Sequence, residues 1–318
     1  MKNNFYRIIC ALVVTISPII NGCSTQDNVV TTPKITPATP SVNSQPVKKS
    51  PIEVSISSVD ELNALFDEYQ YSSERWENGL RELPRITFAE VGDHWQTDAQ
   101  NLPVETKKSL FFRLMAPLIL MANENILLER EIVKNSALNS PELKKIALKY
   151  RLINNRKNTL TSAMRKKLLQ QVDILPPSLA LAQAAEESGW GTSRFATEGN
   201  AFFGQWDFSG NGMKPKRQRK GLGNYGVARF DTPLASVEAY MLNINSGNAY
   251  QKLRRVRTEI RAKNKNISGL ALAGTLDKYS ERGQDYTDGL RHMIQYNNLQ
   301  LVDTASLADN RLIHLIPG

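Results

Sequence analysis

The run Leu179-Ala180-Leu181-Ala182-Gln183-Ala184-Ala185 constrains the fold more than any other stretch of the chain. Pro176-Pro177 and Ser178 ahead of it suit a helix start, because proline is tolerated in a first turn. A helix that is apolar on nearly every side must be buried all round, so the remaining chain has to be built about it. Composition permits this: hydrophobic residues make up 41% and charged residues 22% of 318 positions, enough for a sizeable core. The run then stops in Glu186, Glu187, Ser188, Gly189, Trp190 and Gly191. Gly189 suits the residue just past a helix end. That sets Glu187 in the last turn, on the same face as Gln183 one turn earlier. Burial disfavours an ionised carboxylate and so does the negative end of the helix dipole, so both raise its pKa. A carboxyl that keeps its proton near neutrality is what a general acid requires. Trp190 is placed to add an apolar wall, and Glu186, about 100° round the helix, points elsewhere. The bland alternative is an exposed acid at a frayed end.

The two cysteines, Cys10 and Cys23, both fall within the first 23 residues. Lys2 and Arg7 precede an apolar run from Ile8 to about Ile20, the layout of a secretory signal and too short for an ordinary spanning helix. Ile20-Asn21-Gly22-Cys23 resembles a bacterial lipobox, with Asn21 a mild departure. Residues 1–22 therefore read as a lipoprotein signal peptide and Cys23 as the lipidated residue, with an uncleaved anchor as the alternative. Residues 23–55 read as a proline-rich tether reaching roughly 30 Å as a coil. Ser24 points to the outer membrane of a Gram-negative cell, facing the periplasm.

Past residue 56 helical spacing dominates. "SSVDELNALFDEY" and "SPELKKIALKY" each predict a capped helix, and "NTLTSAMRKKLLQQVDI" a further amphipathic one. Residues 104–138 predict a long helix interrupted at Pro117, whose apolar part is core rather than membrane. Residues 83–96 read as loop or short strand. The Arg254, Arg255, Arg257, Arg261 set reads as an exposed helix face, and Lys214, Lys216, Arg217, Arg219, Lys220 as a glycine-flanked basic flap. Net charge is +9, which suits an anionic polymer or membrane, but no nucleic-acid motif surrounds either basic stretch. His94, His292 and His314 are far apart in sequence, so no metal site is expected. No glycine loop suited to a phosphate is present, and no cofactor is expected.

"AQAAEESGWGTSRFATEGNAFFGQW" resembles the signature of bacterial peptidoglycan N-acetylglucosaminidases, the family that includes the muramidase-like domain of flagellar assembly proteins and the Bax-type proteins. Gln183-Ala184, Glu187 to Gly191, and Asn200, Phe203 and Gly204 carry the match. Phe230, Pro233, Ser236 and Tyr240, then Tyr279 and Tyr286, extend it, and against the Bax-type branch it also takes in "KKSLFFRLMAPLILMANENI". The resemblance implies a mostly α protein: a lysozyme-like α+β domain with a small β lobe over residues 151–305, preceded by a helical N-terminal region at 56–150 and followed by a tail at 306–318. It implies cleavage of peptidoglycan glycan strands with Glu187 as general acid, and a cleft touched by Gln183, Ser188, Trp190, Asn200, Phe203, Gly204 and Trp206. Trp190 and Trp206 are expected half-exposed and Phe203 packed.

Glycosidases commonly use two carboxylates, yet residues 208–230 contain none. Either the 2-acetamido group of the sugar assists, oriented by Tyr240 and Tyr279, or Asp231 or Asp207 acts through a water; assistance is favoured. The "AFFGQW" loop departs from that of a lytic transglycosylase, the nearest rival. Endoglycosidase action on other glycans and a non-catalytic wall-binding lipoprotein are the further alternatives.

Overall fold

The computed structural model describes residues 50–91, 95–216 and 225–318. The signal, Cys23, most of the tether, His94 and the Arg217–Lys220 part of the basic flap lie outside the described residues. Within them the order is β1 (Ile52–Ile56), α1 (Val59–Glu68), α2 (Ser73–Glu77), β2 (Glu82–Leu83), β3 (Ile86–Phe88), α3 (Trp95–Asn101), α4 (Val104–Asn135), α5 (Pro141–Lys149) and α6 (Ser162–Gln171). Then come α7 (Pro177–Ser188), α8 (Arg194–Gly199), β4 (Trp206–Asp207), β5 (Gly226–Val227), α9 (Pro233–Ser246), α10 (Gln251–Ala262), α11 (Gly269–Ala273), α12 (Gln284–Tyr296), β6 (Ser306–Leu307) and β7 (Ile313–Pro317). Short 3-10 turns occupy Asn248–Tyr250 and Leu299–Thr304. The protein is mostly α, as expected.

α1 and α5 start at the caps their sequences offer, and α6 is capped by Thr161. Ser58 Oγ accepts from Glu61 N, Ser140 Oγ from Leu143 N and Thr161 Oγ1 from Met164 N, each satisfying a donor that the first turn cannot. α7 is the hub. Every residue from Pro177 to Ala185 is buried, and the helix packs on α4, α11, α12 and the Leu299–Thr304 turn. α4 differs from expectation, for it runs unbroken through Pro117. An interior proline costs about 3 kcal/mol, and the buried face from Leu110 to Ile126 outweighs that. Among the described residues α4 is the helix long and apolar enough to cross a membrane, and most of that stretch is buried in the protein.

The β structure holds two departures. Residues at the end, expected as a tail, form β6 and β7. β7 is the middle of a three-stranded parallel sheet in the order β1-β7-β3, with Ile313 opposite both Ile52 and Ile86, and Leu315 opposite Val54 and Phe88. The folded part also starts before residue 56, since β1 begins at Ile52. β4 and β5 pair antiparallel, and Met213 bridges to Val227. This is the small β lobe, with its own core of Ala201, Met213 and Val227 backed by Phe195 and Phe230. Lys48–Gly318 forms a single compact unit.

The arginines of α10 correct the reading of an exposed face. Arg255 is exposed, but Arg254 is 7% and Arg257 0% exposed. The last four carbonyls of a helix lack intrahelical donors, and α6 ends inside the protein. Arg257 donates to the carbonyls of Gln170, Gln171, Asp173 and Ile174 and to Asn245 Oδ1. Arg130 of α4 takes Leu169 and Val172. Asp173 receives Arg261 through two bonds of 2.7 and 2.5 Å.

Candidate active site

α7 is fixed at both ends by groups distant in sequence. Pro176 provides no side-chain cap. Instead Asp303 accepts from Ser178 N and Ser178 Oγ at 2.8 Å and from Gly269 N at 3.0 Å; burial raises its pKa against those bonds. At the other end Gly189 takes the left-handed conformation at φ +57°, followed by Trp190 at +62° and Gly191 at +77°. Glycine adopts this region freely, and other residues pay about 1–2 kcal/mol. The Trp190 indole is held edge-on by Phe111 and Phe112, with centroids at 5.7 and 5.3 Å. Ser188 Oγ donates to Ala184 O at 2.6 Å and accepts from Gly191 N at 2.9 Å. The glycine-tryptophan-glycine run is thus a tight reversal locked onto α4, and the apolar wall expected of Trp190 faces those phenylalanines.

Glu187 sits immediately before this reversal. Its Oε1 accepts from the Tyr286 hydroxyl at 2.8 Å. Tyr286 in turn accepts from Gln183 Nε2 at 2.9 Å, and Gln183 Oε1 accepts from the Tyr240 hydroxyl at 2.5 Å. Burial is the main cause of a raised Glu187 pKa, with the Tyr286 bond and Arg282 opposing it and the Glu186 charge adding to it. Glu186 is engaged by Arg282 at 2.6 Å, and the Arg282 guanidinium lies 5.2 Å from the Tyr286 ring centre. Phe203 stacks on Tyr240 at 3.9 Å and Tyr279 on Tyr286 at 5.6 Å. The Tyr279 hydroxyl donates to Phe203 O at 2.9 Å. These rings supply the low-dielectric surroundings that disfavour charge on Glu187.

Gly204 brings the backbone past the other carboxyl oxygen. Its φ is +58°, and a Cβ there would stand 3.5 Å from Glu187 Oε2. Gly204→Ala is expected to cost about 1–2 kcal/mol of stability from the left-handed backbone. Its methyl would also screen Oε2 and slow cleavage at least about tenfold, about 1.4 kcal/mol of barrier. Urea denaturation and initial rates on the same preparation check both.

Of the residues expected in the cleft, Gln183, Glu187, Phe203, Gly204, Tyr240 and Tyr279 come together. Ser188 and Trp190 form the reversal beneath them. Asn200 is 7% exposed, and its Nδ2 donates to the carbonyls of Ala89, Phe230 and Asp231, so its amide ties the end of α8 to the segments after β3 and before α9. Trp206 is 48% exposed, stacks on Tyr225 at 5.0 Å and meets the exposed Phe208 at 5.9 Å. Tyr240 is wholly buried with its hydroxyl committed to Gln183. Asp231 is exposed. Asp207 binds Ser209 N and Oγ at 2.8 Å, which with the backbone of its own loop lowers its pKa. Among described carboxylates, Glu186 is the one whose charge bears on Glu187. The sequence reading missed Tyr286 as the direct partner of Glu187. Its signal was a tyrosine in register with Leu290 and Ile294 on the buried face of α12. Among the described residues no cluster of His, Cys, Asp or Glu could hold a metal ion.

A mostly helical domain with a β lobe, and a buried carboxyl of raised pKa where its buried helix ends, has the makings of a glycoside hydrolase. The family model described as mannosyl-glycoprotein endo-beta-N-acetylglucosaminidase, the glucosaminidase family, matches residues 162–299. Protein bax of Escherichia coli strain K12 is 32% identical over 211 residues, covering 63% of this chain and 73% of that protein. No solved structure matches. The chain belongs to the peptidoglycan glucosaminidase family, in its Bax-type branch, and is an enzyme of the glycoside hydrolase type.

Proposed function

We propose that this protein hydrolyses the β-1,4 bond on the reducing side of N-acetylglucosamine in peptidoglycan, with Glu187 as general acid. The observation that carries the reading is a buried carboxyl of raised pKa whose Oε1 accepts a hydrogen bond from Tyr286 and whose Oε2 lies beside Gly204. Glu187 gives its proton to the leaving glycosidic oxygen as the bond to the anomeric carbon breaks. Of the described candidates for a second carboxylate, Glu186 is held by Arg282, Asp207 serves its own loop and Asp231 is exposed, so none of these three stands ready. The substrate's own 2-acetamido oxygen therefore closes on the anomeric carbon. Water then opens that ring and returns a proton to the Glu187 carboxylate. The Tyr240 and Tyr279 hydroxyls are committed to Gln183 and Phe203 O; Tyr250, half-buried, bonded to Asn243 and within reach of the Glu187 charge, is a third hydroxyl, which would exchange Asn243 for the acetamido group. The exposed Trp206 offers its face to a neighbouring sugar.

Digestion of purified peptidoglycan, borohydride reduction and mass spectrometry of the new ends test this. Reduced glucosamine ends are expected. Reduced muramic ends would make it a muramidase, anhydro ends a lytic transglycosylase, and release of high-mannose glycan instead an endoglycosidase on glycoproteins. No new ends at all would favour a wall-binding protein. Trp206→Ala is expected to raise KM about tenfold, about 1.4 kcal/mol of binding, with kcat little changed.

A peptidoglycan hydrolase works in the cell envelope. Attachment there through lipid on Cys23, facing the periplasm from the outer membrane, belongs to the same proposal. Palmitate labelling that persists in Cys23→Ser would overturn the attachment.

A further inference from the structure

The hydrogen bonds behind Glu187 have a direction. Tyr240 donates to Gln183 Oε1, Gln183 Nε2 donates to Tyr286, and Tyr286 donates to Glu187 Oε1. A tyrosine hydroxyl has one hydrogen, and a glutamine amide is donor at one end and acceptor at the other. Each link therefore fixes the next. The Tyr286 hydroxyl, already accepting from Gln183, turns its hydrogen to the carboxyl. The bond to Gln183 is the one that the Tyr240 hydroxyl makes among the described residues, and both Tyr240 and Gln183 are 0% exposed, so no solvent offers an alternative partner. The reverse polarity would require the buried amide to turn over and would leave Tyr240 with a hydrogen and no acceptor. A buried, unsatisfied donor is costly.

We propose that Tyr240 and Gln183 are positioning residues that pole this chain toward Glu187 and so confine its transferable proton to Oε2, the oxygen beside Gly204. The inference rests on the reading of Glu187 as the general acid and adds what makes it directional. An acid with two free oxygens would share its proton between a face turned to the substrate and a face turned to the core. Here the core-facing oxygen already accepts a bond, and the proton is available where the leaving group lies. Tyr240, two side chains from the carboxyl, acts as the lock on the Gln183 amide, which accounts for a tyrosine wholly buried between α9 and α7.

Among the described residues, the charged and titratable groups that face Glu187 are Glu186 of its own helix, Arg282 ahead of α12, Tyr286 of α12, and Tyr240, Tyr250 and Tyr279. Tyr240→Phe leaves all the others and removes only the lock. The freed amide then turns, Tyr286 donates to Gln183, and Glu187 loses a bond that favours its ionised form. The pH profile of kcat/KM should answer in a defined sense. The high-pH limb, where the acid loses its proton, is expected to move up by about one unit. Rate at the optimum should fall about tenfold with KM unchanged.

Tyr286→Phe removes the same final bond directly and should give the same shift. The Tyr240→Phe/Tyr286→Phe double variant should shift no further than either alone. Carboxyl carbon NMR of the full chain labelled at glutamate reads the Glu187 titration without recourse to activity, and it also covers a variant that cleaves too slowly to profile. A limb and a titration unchanged in Tyr240→Phe, or shifts that add in the double variant, would overturn the relay. Glu187→Gln separates the two levels. If it is inactive and Tyr240→Phe titrates like the parent, the relay alone is wrong. If it still cleaves, the assignment of the acid is wrong.

Discussion

Glu187→Gln should abolish cleavage and leave the protein at least as stable as before. General acids contribute about 10²–10⁴ in rate, so turnover of peptidoglycan should fall about a thousandfold, and residual activity above a few per cent would contradict the assignment. The stability result follows from the raised pKa. A carboxyl whose pKa is higher folded than unfolded costs nothing below its unfolded value, where both states are protonated. It destabilises progressively as pH rises from there through the folded value. The glutamine variant carries no such charge. Its melting temperature should equal the parent's near pH 4 and exceed it at pH 7, and thermal scans across that range check the sign. Residues selected for chemistry commonly carry this kind of penalty.

Arg257→Met should be the most damaging single change outside the cleft. It removes five hydrogen bonds from a 0%-exposed side chain and leaves the carbonyls of Gln170, Asp173 and Ile174 deprived of that donor. Burial lowers the Arg257 pKa to about 10, so the guanidinium still carries charge at pH 7. Removing one partner of such a buried network costs about 3–5 kcal/mol. For a domain of this size the melting temperature should drop by roughly 10 °C. Arg257→Lys should recover little, since a point charge cannot span acceptors on both sides of a planar fork. A loss of unfolding free energy in urea below about 1 kcal/mol would show that water takes over the carbonyls.

These features were unequally legible in the sequence. α7 could be read with its end and its acid because the information is local: an unbroken apolar run, two prolines before it and a glycine after. The resemblance supplied the β lobe and the family. α10 misled because its alternation of arginine and aliphatic residues has helical period, and period alone assigns charge to solvent. Nothing in that stretch reveals that α6 ends inside the protein with its carbonyls unpaired. β7 was invisible for another reason: five residues that pair in parallel with partners some 225 to 260 positions earlier leave no turn signal to announce them. The Tyr240–Gln183–Tyr286 chain required α7, α9 and α12 to be placed side by side, and only the assembled fold does that.

The placement of β7 sets a timetable for biogenesis. Ile52 and Ile86 leave the ribosome long before Ile313, and each must wait for it. Until Ile313 has been made, the strands around Ile52 and Ile86 have no latch, and a folding route dominated by such distant closures is slow.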